Sequence, residues 1–202
     1  GADSAGVIYT GSAVTSKAMV VLGFMDWEGG LATSGTWSSG PTLIQDYRPG
    51  ISLPGMTVQL LRSNDGGAAS SANTIPFDDT IPQVSEGFGV LSRDITPKRA
   101  ANVLKISSQI QFTTGGTIPM TVAIFQDATA NALASIVSYT VSADYTLTEH
   151  LEYLMLATTV STTTIYMRAG GSSGTTYING NSAGRKLGGT MNTYILVEEI
   201  MG

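Results

Sequence analysis

The stretch LKISSQIQFTTGGTIPMTVAI, running from Leu104 to Ile124, decides how the chain is read. Its even positions Leu104, Ile106, Ile110, Phe112, Ile118, Met120, Val122 and Ile124 are apolar, while Lys105, Ser107, Gln109, Gln111, Thr117 and Thr121 at odd positions are polar. A period of two sends one side-chain set to one face of a strand. The run breaks once, at Thr113-Thr114-Gly115-Gly116, where Gly-Gly can turn the chain, so a β-hairpin with one apolar face is expected. A lone hairpin is marginal in water, and its apolar face requires a second sheet from elsewhere in the chain.

Outward from this stretch, short β-type runs recur with turn residues between them. On the C-terminal side they are Leu133 to Val141, Leu147 to Thr158, Thr163 to Ala169, Thr175 to Ile178 and Met191 to Ile200. On the N-terminal side lies Phe88 to Ile95. Ala128 to Ser138 and Thr148 to Thr158 contain helix formers, but β-branched and aromatic residues outweigh them, and both are read as strands. The terminal run Tyr194 to Ile200 is apolar on both parities, which places it inside a sheet. Many short strands without helical crossovers indicate an antiparallel sandwich or barrel. Further upstream, Lys17 to Trp27, Thr42 to Tyr47 and Thr57 to Arg62 form a three-strand region, followed by the small, patternless segment Ser63 to Ala72. The resulting division is a β appendage over residues 1–62, a linker over 63–72 and a β domain over 73–202.

Composition narrows the function. Gly (24), Ser (21) and Thr (26) make up 71 of 202 residues, charged residues only 12% and hydrophobic residues 42%. Such a chain is polar without being ionic, and it folds rather than staying disordered. There is no cysteine, which excludes disulfides and thiolate chemistry. A net charge of −5 with scattered Lys and Arg argues against nucleic-acid binding, and no apolar window is long enough for a membrane-spanning helix. A start at Gly1 leads to the expectation that the chain is processed or part of something longer.

No catalytic constellation stands out. His150 is the only histidine, and it lies between Glu149 and Leu151 in an ordinary strand pattern, without a nucleophile elbow anywhere. The carboxylate pairs Asp78-Asp79 and Glu198-Glu199 are sequence neighbours, so on a strand each pair would point to opposite faces and would not converge on one glycosidic bond. Asp78, Asp79 and Asp127 lack the spacing of a metal loop, and Gly170 to Gly174 lacks the Lys-Thr and helix of a phosphate loop. Neither a cofactor nor a metal is expected. Binding remains: loop-borne Asp144, Tyr145, Tyr177, Asn179, Asn181, Arg185 and Lys186 combine aromatic, amide and charged groups of the kind that hold saccharides. Trp27 and Trp37 are read as packing anchors.

Several segments, in order, carry a family resemblance. They are Ile75 to Gln83 with Glu86-Gly87, Ile95-Thr96-Pro97 with Asn102 to Ile106, and Ala123 to Asp127 running into Asn131 to Ala134. Met167 to Gly170, Thr175 to Gly180 and the ending from Gly188-Gly189 through Tyr194 to Ile200 complete the set. Over residues 71 to 202 this order resembles the C-terminal β domains of tailed-phage fibre and receptor-binding proteins, with the trimeric jelly roll of tumour-necrosis-factor and C1q heads. Residues 7 to 62 resemble the segments that precede such domains more weakly. The resemblance implies an all-β, antiparallel jelly-roll sandwich, homotrimeric, preceded by a small β appendage. Receptor identity varies among such fibres and does not carry over. Taken with the hydroxyl-rich, low-charge composition and the missing catalytic constellation, the resemblance leads to the expectation of a non-catalytic virion fibre component that binds a bacterial surface polysaccharide or other receptor and meets other virion proteins through its N-terminal side. A head fibre or capsid decoration protein and a polysaccharide depolymerase are the rival expectations. The doubly apolar strands independently call for a cover, which copies of the chain would supply.

Overall fold

In the computed structural model, residues 54–202 are described in full, together with the backbone of two short strands, β1 (Gly23–Asp26) and β2 (Leu43–Asp46). The chain divides into two compact units, Gly1–Leu53 and Pro54–Gly202. Within the first, β1 and β2 pair antiparallel, Gly23 opposite Asp46, inside two of the expected runs. Trp27 and Trp37 lie outside the described residues.

The second unit holds β3 (Thr57–Asp65), β4 (Ala69–Ser71), β5 (Phe88–Ile95), β6 (Val103–Thr114), β7 (Pro119–Gln126), β8 (Ala134–Tyr139) and β9 (Leu147–Leu156). It continues with β10 (Thr163–Gly171), β11 (Thr176–Ile178), β12 (Gly180–Asn181), β13 (Gly184–Arg185), a 3-10 turn at Leu187–Gly189 and β14 (Thr193–Ile200). One sheet has the order β3-β14-β6-β9, with β11 and β4 extending it beside the last residues of β6, and the other has the order β5-β10-β7-β8. All of these pairings are antiparallel. In chain order β3, β5, β6, β7, β8, β9, β10 and β14 fall in sheets one, two, one, two, two, one, two and one, which is the winding of a jelly roll. The expected all-β antiparallel sandwich is present, and β14 lies between β3 and β6 as its doubly apolar pattern required.

Two expectations need correction. The stretch Leu104 to Ile124 is not a hairpin: β6 belongs to one sheet and β7 to the other, and Gly115-Gly116 carries the chain across the sandwich. Even-numbered residues point to the core from both strands, so the parity in the sequence is the same for a hairpin and for a crossing between facing sheets. Leu104, Ile106, Ile110 and Phe112 meet Met120, Val122 and Ile124 in one buried cluster with Ile165, Met167, Ile195 and Val197. The second correction concerns the linker. Ser63 to Asp65 is the end of β3, paired with Thr193 to Ile195, and Ala69–Ser71 is β4, paired with β11. The division between units falls at Leu53/Pro54 instead. Small polar residues made this segment look like a tether, but β3 supplies an edge of the first sheet.

The odd residues Thr121, Ala123 and Phe125 of β7 face away from the core and are nevertheless buried. The segment from Asn73 to Gly87 covers this side of the sheet at β10, the partner of β7. The Ile75 amide donates to the Gly171 carbonyl at 3.2 Å, the Gly87 amide to Thr74 at 2.8 Å, and the Arg168 side chain donates to the carbonyls of Glu86 and Gly87. Ile75 is fully buried in this outer layer.

Candidate functional site

β6 spans the sandwich, and its 12 residues at about 3.3 Å each set the two ends roughly 36–40 Å apart. The near end gathers both limits of the unit: the Gly55 amide donates to Met201, and the Met201 amide donates to Met56. Here the fully buried Glu199 accepts from the amides of Lys98 (2.7 Å) and Arg99 (3.3 Å), from Asn102 Nδ2 (2.6 Å) and from Gln59 Nε2. Burial by itself raises its carboxyl pKa, but the hydrogen bonds from Asn102, Gln59 and the two amides outweigh that and hold it below the ordinary value. Its neighbour Glu198 faces the other way and accepts from the Thr57 hydroxyl. The two carboxylates therefore sit on opposite faces, as the strand period requires.

The far end carries the loops. Thr113, the last outward residue of β6, donates to the Gly180 carbonyl at 2.9 Å and lies 3.2 Å from the Thr146 hydroxyl, tying β12 to the loop before β9. Asp144, in the left-handed backbone region at φ 63°, donates its amide to Thr114 and accepts from the Ser182 hydroxyl at 3.2 Å. Tyr145 is exposed beside it. Asn181 caps its own turn by accepting from the Ala183 amide, Arg185 is exposed on β13, and Lys186 follows it with its amide donated to Asn179. Tyr177 lies opposite Thr113 on the outward face. Asp144, Tyr145, Tyr177, Asn181, Arg185 and Lys186 are thus brought to one end of the sandwich.

Asn179 behaves differently. It is 1% exposed, with Nδ2 donating to the carbonyls of Asp65 and Gly67 and Oδ1 accepting from Thr193 Oγ1. Its amide is used in holding three chain segments together, and its side chain is not presented to solvent.

The outward face of the first sheet is mixed. Leu60, Leu154 and Leu156 are exposed on it, next to half-buried Leu196, Val103 and Ile200. On it Lys105 Nζ pairs with Glu152 Oε2 at 2.9 Å, and the Arg62 guanidinium stands 4.8 Å from the Tyr194 ring centroid. The Glu152 hydrogen bond and charge raise the Lys105 pKa, and the Lys105 hydrogen bond lowers that of Glu152. His150 is exposed on this face opposite Gln109. Among the described residues no group of three or more His, Asp or Glu side chains is arranged to hold a metal, and no helix is long and apolar enough to cross a membrane.

No protein-family model matches the sequence, and no curated protein matches it. Solved structures similar to it include the infectious bursal disease virus VP2 subviral particle, at 10% identity and a TM-score of 0.33, covering 80% of this chain and 40% of that one. The infectious bursal disease virus Gx strain structure matches at 13% identity and a TM-score of 0.34, over 94% of this chain and 46% of the other. Dimeric latent PorU from Porphyromonas gingivalis matches at 7% identity and 0.31, over 72% and 14%. This chain spans less than half the length of each of them. At these scores the likeness says nothing of site or activity.

Proposed function

We propose that this chain is a virion fibre component that binds a bacterial surface polysaccharide as a homotrimer, without catalysis. The observation that carries the proposal is the placement of the loops: six candidate binding residues collect at the far end, while Pro54 and Gly202 lie at the near end. A rigid sandwich with its polar loops turned away from where the chain enters suits a tip presented to a surface, with other virion proteins on the N-terminal side. The exposed leucines on the first sheet supply the face that copies of the chain would cover, and the Lys105–Glu152 ion pair lies on the same face.

Adsorption of the purified protein to bacterial cells, competed by soluble envelope polysaccharide, tests the binding role. Adsorption that no polysaccharide competes would remove the glycan from the proposal, and no adsorption at all would remove the receptor role. Immunogold labelling of the particle separates a tail-tip position from a capsid one. Release of new reducing ends from the polysaccharide would instead establish a depolymerase.

A further inference from the structure

Phe77 and Tyr139 are 52% and 54% exposed, with ring centroids 5.6 Å apart and planes at 87°. In such a T-shaped pair the edge of one ring meets the face of the other, so ring faces remain open to solvent. Neither ring belongs to the core cluster. Both nevertheless sit on fixed backbone. Phe77 lies between the buried anchor Ile75 and a second clamp, in which Val84 donates to Ala130, Ala132 donates to Pro82, and Gln83 Nε2 donates to Asn131 Oδ1 at 3.0 Å. Tyr139 is the last residue of β8, paired with Pro119 at the far end of the sandwich. Val137, exposed one pleat earlier, continues the apolar face, and Ser135 follows it.

Beside Phe77, Asp78 Oδ1 accepts from the Thr80 amide at 2.9 Å and from the Thr80 hydroxyl at 2.5 Å. Those two bonds, the hydroxyl first, hold its pKa below the ordinary carboxylate value and keep it an ionised acceptor. The carboxylate is thereby held in place on the residue that follows Phe77 in the chain. An apolar ring face next to an anionic acceptor and hydroxyls matches a pyranose, which offers a C–H face for stacking and equatorial hydroxyls as donors.

We propose that the exposed corner formed by Phe77 and Tyr139 holds one pyranose ring of a bacterial envelope polysaccharide, one aromatic face stacking on the sugar and the perpendicular ring flanking it, with Asp78 accepting from its hydroxyls. This rests on the glycan-binding reading above and adds a site on the flank of the far end, built by the covering segment and β8. The test is binding of the full chain to an array of capsular and O-antigen polysaccharides, followed by titration of the strongest binder against variants. Phe77→Ala and Tyr139→Ala are each expected to weaken binding about tenfold, the scale of one aromatic contact. Tyr139→Phe should stay within about twofold, since stacking needs the ring and not its hydroxyl. Phe77→Leu keeps apolar volume and should fold like the parent protein in a thermal melt, while still losing binding. If the Phe77 and Tyr139 variants bind like the parent while Tyr145→Ala and Arg185→Ala lose affinity, the corner site is wrong and the glycan reading stands. Absence of binding by the parent protein to every polysaccharide overturns both. A changed oligomeric mass with unchanged affinity would make the pair a subunit contact and overturn the corner site.

Discussion

Glu199 is a carboxylate enclosed at the near end by four donors, and its ionisation is coupled to folding. A group whose pKa is depressed in the folded state stabilises that state above its unfolded pKa, and the contribution is lost as pH falls through the folded value. Glu199→Gln keeps the shape but sets an amide donor against donors, so it should cost about 1–3 kcal/mol at pH 7. Urea denaturation of both proteins from pH 7 to pH 3 should show the difference shrinking as the pH falls through the ordinary carboxylate range, where the unfolded chain takes up a proton that the folded Glu199 resists. An undiminished gap at pH 3 would mean that the charge is not what matters. Asn179 is the other decisive residue of this kind. Asn179→Ala would strand the carbonyls of Asp65 and Gly67 and the hydroxyl of Thr193, at a backbone φ of 53° that Ala tolerates poorly. A loss of about 2–3 kcal/mol in the same assay is expected. In the sequence Asn179 is one more polar residue in a Gly- and Asn-rich turn. The carbonyls of Asp65 and Gly67 that it holds are more than 110 positions upstream, and no local pattern announces them.

For the strands, the crossing at Gly115-Gly116 makes its own prediction. A two-residue hairpin turn needs positive φ, but neither glycine has it, and a Cβ added at either meets nothing within 4 Å. Gly115→Ala and Gly116→Ala should therefore be neutral or stabilising by up to about 1 kcal/mol. A loss well above that would restore the hairpin. By contrast, Gly87 at φ 59° holds the covering segment so closely that a Cβ would stand 2.6 Å from the Ala169 carbonyl oxygen. The strand periods were legible because side-chain parity is a local property, visible in Leu104 to Phe112 and in Met120 to Ile124. Which sheet each strand joins is set by long-range pairing, and so is the role of Ser63 to Ala72. Small polar residues there are compatible with a tether or an edge strand, and only the register with β14 and β11 distinguishes them.

For the whole molecule, the two faces of the first sheet should respond differently to charge. Ile110 is 1% exposed in the core, so Ile110→Asp should unfold the unit, whereas Leu196→Glu on the outward face should leave a folded monomer if the trimer uses that face. Circular dichroism with light scattering reads both outcomes, and a Leu196→Glu protein that stays trimeric would move the interface elsewhere. The far-end residues were legible as a set because loops concentrate such groups, but Phe77 and Tyr139 were not, since their 61 intervening residues hide the meeting of the covering segment with β8. The position of β14 also has a consequence for biosynthesis. β3 and β6 each wait for β14, which emerges last, and from Arg62 to its partner Leu196 the ribosome adds more than 130 residues. At 5–20 residues per second that interval is roughly 7–27 s, through which the inner edge of β3 stands open, joined partway by the edge of β6 that also pairs with β14. The nascent chain is then most vulnerable to pairing with the same strands of a neighbouring copy on the same message, an exposure that ends when β14 docks between β3 and β6.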